Sequence, residues 1–141
     1  MGKDGGRHTG DPQIWTNLFL VLAAAVAAGR RMYLFSAALV FAAISSTLYH
    51  KSEEKRYEAL DMFAVGTVIA YGVAQTVMPG TMKPLCRVAC VAIGALMITF
   101  KCIDTSHPDV YEHWHPWFHT CCAIFAMLIA IVGTPIAYLK E

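Results

Sequence analysis

Residues 12–50 have the sequence PQIWTNLFLVLAAAVAAGRRMYLFSAALVFAAISSTLYH, two runs without a charged side chain that only the pair Arg30–Arg31 separates. A helix needs about 20 mostly apolar residues to cross roughly 30 Å of hydrocarbon. Both runs approach that length, and the basic pair between them leaves room only for a tight turn. We therefore predict that this stretch forms a hairpin of two membrane-spanning helices.

Three further stretches approach the same length. The fourth along the chain is the weakest, because its charge-free part is only residues 88–100, with Arg87 and Lys101 at its ends. Long basic side chains at such positions can extend to the lipid headgroups. The five predicted spans are residues 12–29, 32–50, 61–83, 84–102 and 117–139.

The fold class that follows is all-α, a polytopic membrane bundle of about five transmembrane helices. We predict a polar N-terminal tail over residues 1–13 and a single transmembrane domain over residues 14–141. The Ala-rich first run can mimic a cleavable signal peptide. Its length favours an uncleaved span.

Composition excludes several other classes of protein. Hydrophobic residues make up 57% of the 141 residues and charged residues 15%, whereas globular proteins have roughly 45–50% and about 25%. The mean hydropathy is +0.49. So few charges cannot cover a soluble domain of this size. A net charge of +1 offers no basic surface for nucleic acid, so we expect membrane lipids as partners and no nucleic acid.

The connections between the spans are short and polar. The sequence predicts a tight turn at Gly29-Arg30-Arg31, a charged loop over residues 51–58 and a break at Met78-Pro79-Gly80. Residues 106–109 have the pattern of a helix start, with Pro in the first turn and an acid behind it. The last helix would then begin before the membrane, with Pro116 as an internal kink.

The histidines fall on one side of the predicted membrane. Five spans place the N-terminus and the loops over residues 51–58 and 103–116 on the same side. All six histidines then lie there: His8, His50, His107, His113, His115 and His119. Six of the eleven Lys and Arg residues lie on that side and five on the other, so the positive-inside rule does not orient the chain. The sequence does not decide whether the protein lies in the plasma membrane or in an endomembrane.

The spacing of three histidines predicts a zinc site. Residues four apart share a helix face, so His115 and His119 point together. With His50 from another helix they form a set of three ligands, which leaves a fourth position for a water, the arrangement of catalytic zinc. Zinc would lower the pKa of that water toward ~7 and polarise a carbonyl group. Asp61 could hold the water or serve as general base, and Ser46, on the face of His50, could donate a hydrogen bond to the oxyanion or the water.

Other interpretations of the same residues stay open. His50 and His119 could bind a haem between two helices, and Cys121 or Cys122 could add a thiolate ligand to zinc. Asp61 could cap the third helix. Ser46 could simply pack between membrane helices. The remaining histidines are expected to bond headgroups or water at the interface: His8, His107 and His113.

These motifs resemble those of a membrane superfamily. It contains the alkaline ceramidases, the adiponectin- and progestin-type receptors, the haemolysin-III-like proteins, and the myomaker and TMEM-eight-like proteins. The matching motifs are Ser46-Thr47-Leu48-Tyr49-His50, then Asp61, then His115-Pro116-Trp117-Phe118-His119. The resemblance covers about residues 15–75 and 110–135. It implies zinc ligation by His50, His115 and His119, with Ser46 and Asp61 near the metal-bound water.

Two branches of the superfamily are similar to this chain. The step of eleven residues from His50 to Asp61 resembles the alkaline ceramidases. Thr16-Asn17-Leu18 and the basic turn at Arg30–Arg31 look more like the myomaker and TMEM-eight-like branch. The sequence does not decide between these branches.

The helix number departs from the superfamily, whose members usually have seven core helices. Two helices fewer between the third and the last would remove part of the wall around the site. The chain is then a minimal member, an inactive product, or a homo-oligomer whose partner completes the bundle. The function expected is a zinc-dependent hydrolase of lipid amides or esters with zinc-bound water as nucleophile. The alternative is a non-catalytic receptor-like or fusion-related protein with a structural zinc.

Overall fold

The computed structural model of the protein describes residues 12–52, 54–106 and 111–135, and every regular element in these ranges is an α-helix. This confirms the prediction of an all-α bundle. The helices are α1 Pro12–Gly29, α2 Tyr33–Ser52, α3 Lys55–Val77, α4 Pro84–Ser106 and α5 Tyr111–Val132.

Four helices are long and apolar enough to cross a membrane, judged by length and composition. They are α2 and α3 in full, Pro84–Ile103 of α4 and Trp114–Val132 of α5. The part of α1 over Thr16–Gly29 is apolar but shorter. Large apolar side chains point outward from the bundle, among them Leu34 at 83% and Leu85 at 80% exposure. Such a surface suits lipid better than water.

The helices pack in the order α3, α2, α1, α5, α4. Helix α1 packs against both α2 and α5, while α3 packs on α2 and α4 packs on α5. Small side chains such as Ala23 and Ala27, both fully buried, let α1 approach its neighbours closely. Helix α3 makes few contacts with α4 or α5. The bundle therefore has a gap along its length between α3 and α4.

Two predicted turns are confirmed. Helix α1 ends at Gly29, and Arg31 closes the turn with a φ of 62°, in the left-handed region. Helix α3 ends at Val77, before Pro79 and before Gly80 with a φ of 79°. Pro79 has no N–H with which to extend the hydrogen bonds of α3, and glycine adopts positive φ without a steric penalty.

Two predicted boundaries are wrong. The charged loop over residues 51–58 is mostly helical, because α2 continues to Ser52 and α3 begins at Lys55. Lys51 lies in the last turn of α2 and Glu58 in the first turn of α3, where the helix dipole favours each charge. The last helix ends at Val132, because Gly133 and then Pro135 stop it. Of its predicted start at residues 106–109, Ser106 is the last residue of α4, and residues 107–109 lie outside the described residues.

A polar network closes the end of the bundle opposite the histidines. The buried Gln75 side chain donates from Nε2 to the carbonyl oxygen of Thr134 (2.7 Å) and accepts from the backbone N–H of Thr134 (3.2 Å). The Thr81 hydroxyl donates to the carbonyl oxygen of Gln75. Arg30 donates to the carbonyl oxygen of Gly133 (3.2 Å), which joins the α1–α2 turn to the end of α5. These bonds fix the ends of α1, α3 and α5 together.

We expect Gly72→Ala to destabilise the bundle, because a Cβ at Gly72 would collide with the buried ring of Phe125 across the α3–α5 contact. Overpacking of this kind costs about 1–3 kcal/mol. The measurement is the free energy of unfolding of the detergent-solubilised protein. Gly66→Ala on the same helix is the matched control, since a Cβ there meets nothing within 4 Å. Equal stability of the two variants would contradict this packing.

Candidate metal centre

Three buried histidines from two helices meet at one end of the bundle. His50 lies in the last turn of α2 with 2% of its surface exposed. His115 and His119 lie in the first half of α5 on one face, and both are buried. The chain folds this way because α1 packs against both α2 and α5 and brings their faces together. The predicted convergence of the two helices is observed.

The ring nitrogens of the three histidines point at one another. The Nε2 atoms of His50 and His119 are 3.1 Å apart, and those of His119 and His115 are 3.0 Å apart. One ligand nitrogen from each ring lies within 4.8 Å of the other two. Ring centroids lie between 4.7 and 5.4 Å from one another, with the rings tilted edge to face. The rings therefore converge on a common point.

Hydrogen bonds among the rings do not account for this arrangement. An Nε2 atom carries either one hydrogen or one lone pair in the ring plane. His119 Nε2 faces two other Nε2 atoms, so it cannot satisfy both by hydrogen bonding. A cation at the common point would satisfy all three lone pairs at once. The cluster could hold a metal ion.

The spacing fits a small tetrahedral cation. Zinc–nitrogen bonds of 2.0–2.1 Å place two ligand nitrogens about 3.3 Å apart in tetrahedral geometry. The observed separations of 3.1 and 3.0 Å need only a small adjustment to reach that value. A haem between His50 and His119 fits poorly, because its macrocycle would have to pass between nitrogens 3.1 Å apart. Cys121 and Cys122 are not part of the cluster.

Ser46 and Asp61 each carry a buried polar atom without a hydrogen-bond partner. Ser46 Oγ, one turn before His50 on α2, has none, and neither has Asp61 Oδ1. Ser46 is 1% exposed and Asp61 9%. A buried polar group without a partner is costly, so such atoms point to a ligand or water. The residue before the first turn of α3 is Glu54, so Asp61 lies inside the helix and does not cap it.

A cavity of about 680 Å³ begins at this centre. Asp61, His115 and His119 are among the residues that line it. Its walls are mostly apolar residues on one face of α3, up to Val77, and one face of α4, down to Cys90. The cavity therefore occupies the gap between α3 and α4 and runs lengthwise from the metal centre.

One charged residue of the cavity was not predicted as part of the site. Lys101 was expected to extend to the headgroups, but it lines the cavity beside His115 and His119. Its Nζ lies 5.6 Å from the centre of the Phe118 ring. The sequence places Lys101 on the same side as the histidines, which was the available signal. Helical periodicity could not relate Lys101 to the histidines, because Lys101 belongs to a different helix.

The structure describes only some of the other residues that the sequence singled out. His8, His107 and the side chain of His113 fall outside the described residues. Asn17 is buried and donates to the Thr47 hydroxyl (3.2 Å), which joins α1 to α2.

Comparison with known proteins finds no matching family model, no matching curated protein and no matching solved structure. The geometry of this chain is therefore the basis for its functional assignment.

We expect His50→Ala to abolish metal binding, because the two remaining imidazoles on α5 cannot complete the ligand set. Wild-type protein purified in detergent should retain about one metal ion per chain. The variant should bind the metal at least about 100-fold more weakly, since loss of a ligand costs more than the loss of a residue that only supports a ligand. Elemental analysis and competition with a chelator measure this. Lys51→Ala, an exposed neighbour, is the control. Equal metal content in the wild type and His50→Ala would contradict a metal site at these histidines.

Proposed function

We propose that the protein is a zinc-dependent integral-membrane hydrolase that cleaves a lipid amide or ester. The observation that carries this proposal is that the three-histidine centre opens, at Asp61, into a long apolar cavity between α3 and α4. The resemblance of the histidine, serine and aspartate motifs to the ceramidase-like superfamily supports the same reaction class. Three neutral nitrogen ligands suit zinc.

Zinc at this centre would supply a Lewis acid and an acidified water. The protein contributes its position, since three ligands from two packed helices leave a coordination position free. Burial excludes bulk water from the ring nitrogens, which strengthens electrostatic effects in the site.

Asp61 and Ser46 take the roles of proton acceptor and hydrogen-bond donor. Asp61 Oδ1, buried and without a protein partner, accepts the proton that hydrolysis removes from water and passes it to the leaving nitrogen or oxygen. Ser46 Oγ, also without a partner, donates a hydrogen bond to the negative charge that develops on the carbonyl oxygen.

The cavity accommodates the acyl chain of the lipid. Its lining on α3 extends from Asp61 to Val77, which corresponds to about 24 Å of helix at 1.5 Å per residue. Gly66 and Gly94 both line it, and a Cβ at either position would meet nothing within 4 Å. The sparse contact between α3 and α4 lets a lipid enter sideways from the bilayer.

We expect Asp61→Asn to lower kcat by about 10²–10⁴-fold while the metal stays bound, because the amide keeps the shape but cannot accept the proton. Release of fatty acid from a panel of amide and ester lipids, with metal content measured on the same samples, tests this.

Ser46→Ala should lower kcat by about 10²–10³-fold, as removal of an oxyanion donor does in other enzymes.

The alternative, a non-catalytic protein with a structural zinc, predicts the opposite result. No lipid would be cleaved by the wild-type protein, and His119→Ala would unfold it. That pair of results would replace the hydrolase with a receptor-like or fusion-related protein.

We expect Gly94→Leu to select against long acyl chains, because the new side chain would fill the middle of the cavity. The kcat/KM value for a lipid with an 18-carbon chain should fall about ten-fold or more, with little change for a chain of six carbons. Gly29→Leu, at the end of α1 away from the cavity, is the control. A uniform loss for both chain lengths would argue against an acyl site here.

A further inference from the structure

Charged side chains are confined to one end of the cavity. Among the described residues that line it, these are Glu58 and Asp61 on α3 and Lys101 on α4. The lining toward the other end is apolar, apart from Thr76. An acyl chain requires none of these charges. A charge in an apolar bundle is expensive unless it is paired or bound to a ligand, so charges at such a position are candidates for a function.

Lys101 holds a positive charge next to the metal centre. Its Nζ lies above the Phe118 ring, and the centre of that ring is 5.9 Å from the His115 ring and 5.7 Å from the His119 ring. Lys101 lines the same cavity as Asp61 and His119. A cation this near the histidines would lie close to the amide or ester bond of the proposed substrate. Such a position suits a lipid with a negatively charged group near its acyl linkage.

Glu58 adds a negative charge at the outer rim. It lies three residues before Asp61, so it occupies the same face of α3 one turn closer to the helix start. Its side chain is exposed, whereas Asp61 is buried. Two carboxylates beside one ammonium group disfavour a headgroup with net negative charge. They suit one in which a cation follows the anion.

We propose, on the basis of the proposed function, that the lipid is a zwitterionic phospholipid. Lys101 binds its phosphate, and Glu58 binds the ammonium group of its choline or ethanolamine. Charge-assisted hydrogen bonds of an ammonium group to phosphate are stronger than neutral ones. The charge order along the cavity, from apolar wall to Lys101 to Glu58, matches the order of chain, phosphate and amine in such a lipid. Neutral lipids lack both charges, and phosphatidic acid lacks the amine.

The test measures binding of ether-linked lipids, which cannot be hydrolysed. Native mass spectrometry of the full chain in detergent compares dialkyl phosphatidylcholine, dialkyl phosphatidic acid and dialkylglycerol with equal chains. Wild-type protein should bind the phosphatidylcholine analogue about ten-fold more tightly than dialkylglycerol, as a hydrogen bond between charged groups allows. Lys101→Met should remove this preference and Lys101→Arg should keep it. Lys83→Met, an exposed lysine beyond the other end of α4, should leave it unchanged.

The rim carboxylate has its own variant. Glu58→Gln should reduce the preference for phosphatidylcholine over phosphatidic acid by about two- to five-fold, the range for an exposed ion pair. An unchanged ratio would remove Glu58 from the headgroup site.

Four outcomes would overturn the proposal, and a fifth would overturn only the proposed function. The preference could survive Lys101→Met, or that variant could weaken dialkylglycerol as much as phosphatidylcholine, which would give Lys101 a structural role only. Millimolar inorganic phosphate could displace the lipid through Lys101, which would assign the site to free phosphate. Absence of hydrolysis with this binding preference intact would sink only the proposed function. Hydrolysis of diacylglycerol without any headgroup preference would contradict only the headgroup assignment.

Discussion

Convergence of three imidazoles inside an apolar bundle is the constraint on which the rest of the structure depends. His50 comes from α2 and the pair His115 and His119 from α5, so the nitrogens meet only if both helices pack on α1 at the right depth. His119 Nε2 faces the Nε2 atoms of the other two rings at 3.0 and 3.1 Å, and its single hydrogen or lone pair cannot serve both in good geometry. A cation could bind all three nitrogens at once, and its binding would stabilise the folded bundle over the unfolded chain.

The two ends of the bundle differ in how their polar groups are satisfied. At one end, Gln75, Thr81 and Arg30 bond to backbone groups of other segments and hold α1, α3 and α5 together. At the other end, Ser46 and Asp61 keep buried atoms without protein partners. A satisfied network specifies a fixed structure, whereas unsatisfied groups near the histidines leave hydrogen-bonding capacity for a ligand. Helices α3 and α4 can therefore stay apart at the site while the far end holds the bundle together.

Part of this arrangement was predictable from local sequence. Charge-free runs located all five helices, and the spacing of His115 and His119 placed them on one face. The charged residues 51–58 were misassigned as a loop because hydropathy identifies spans and not helix ends, which continue beyond the apolar stretch. The position of Lys101 in the cavity was not predicted because it depends on how far α4 lies from α3.

The sequence by itself determined an all-α apolar bundle with its histidines at one end, because hydrophobic length and helical periodicity are local properties. The tertiary structure decided that the three rings meet, that the gap between α3 and α4 becomes a cavity of about 680 Å³, and that Lys101 lies beside it. These features depend on which helix faces pack together. Packing of this kind is set by contacts between residues far apart in the chain, which no local pattern encodes.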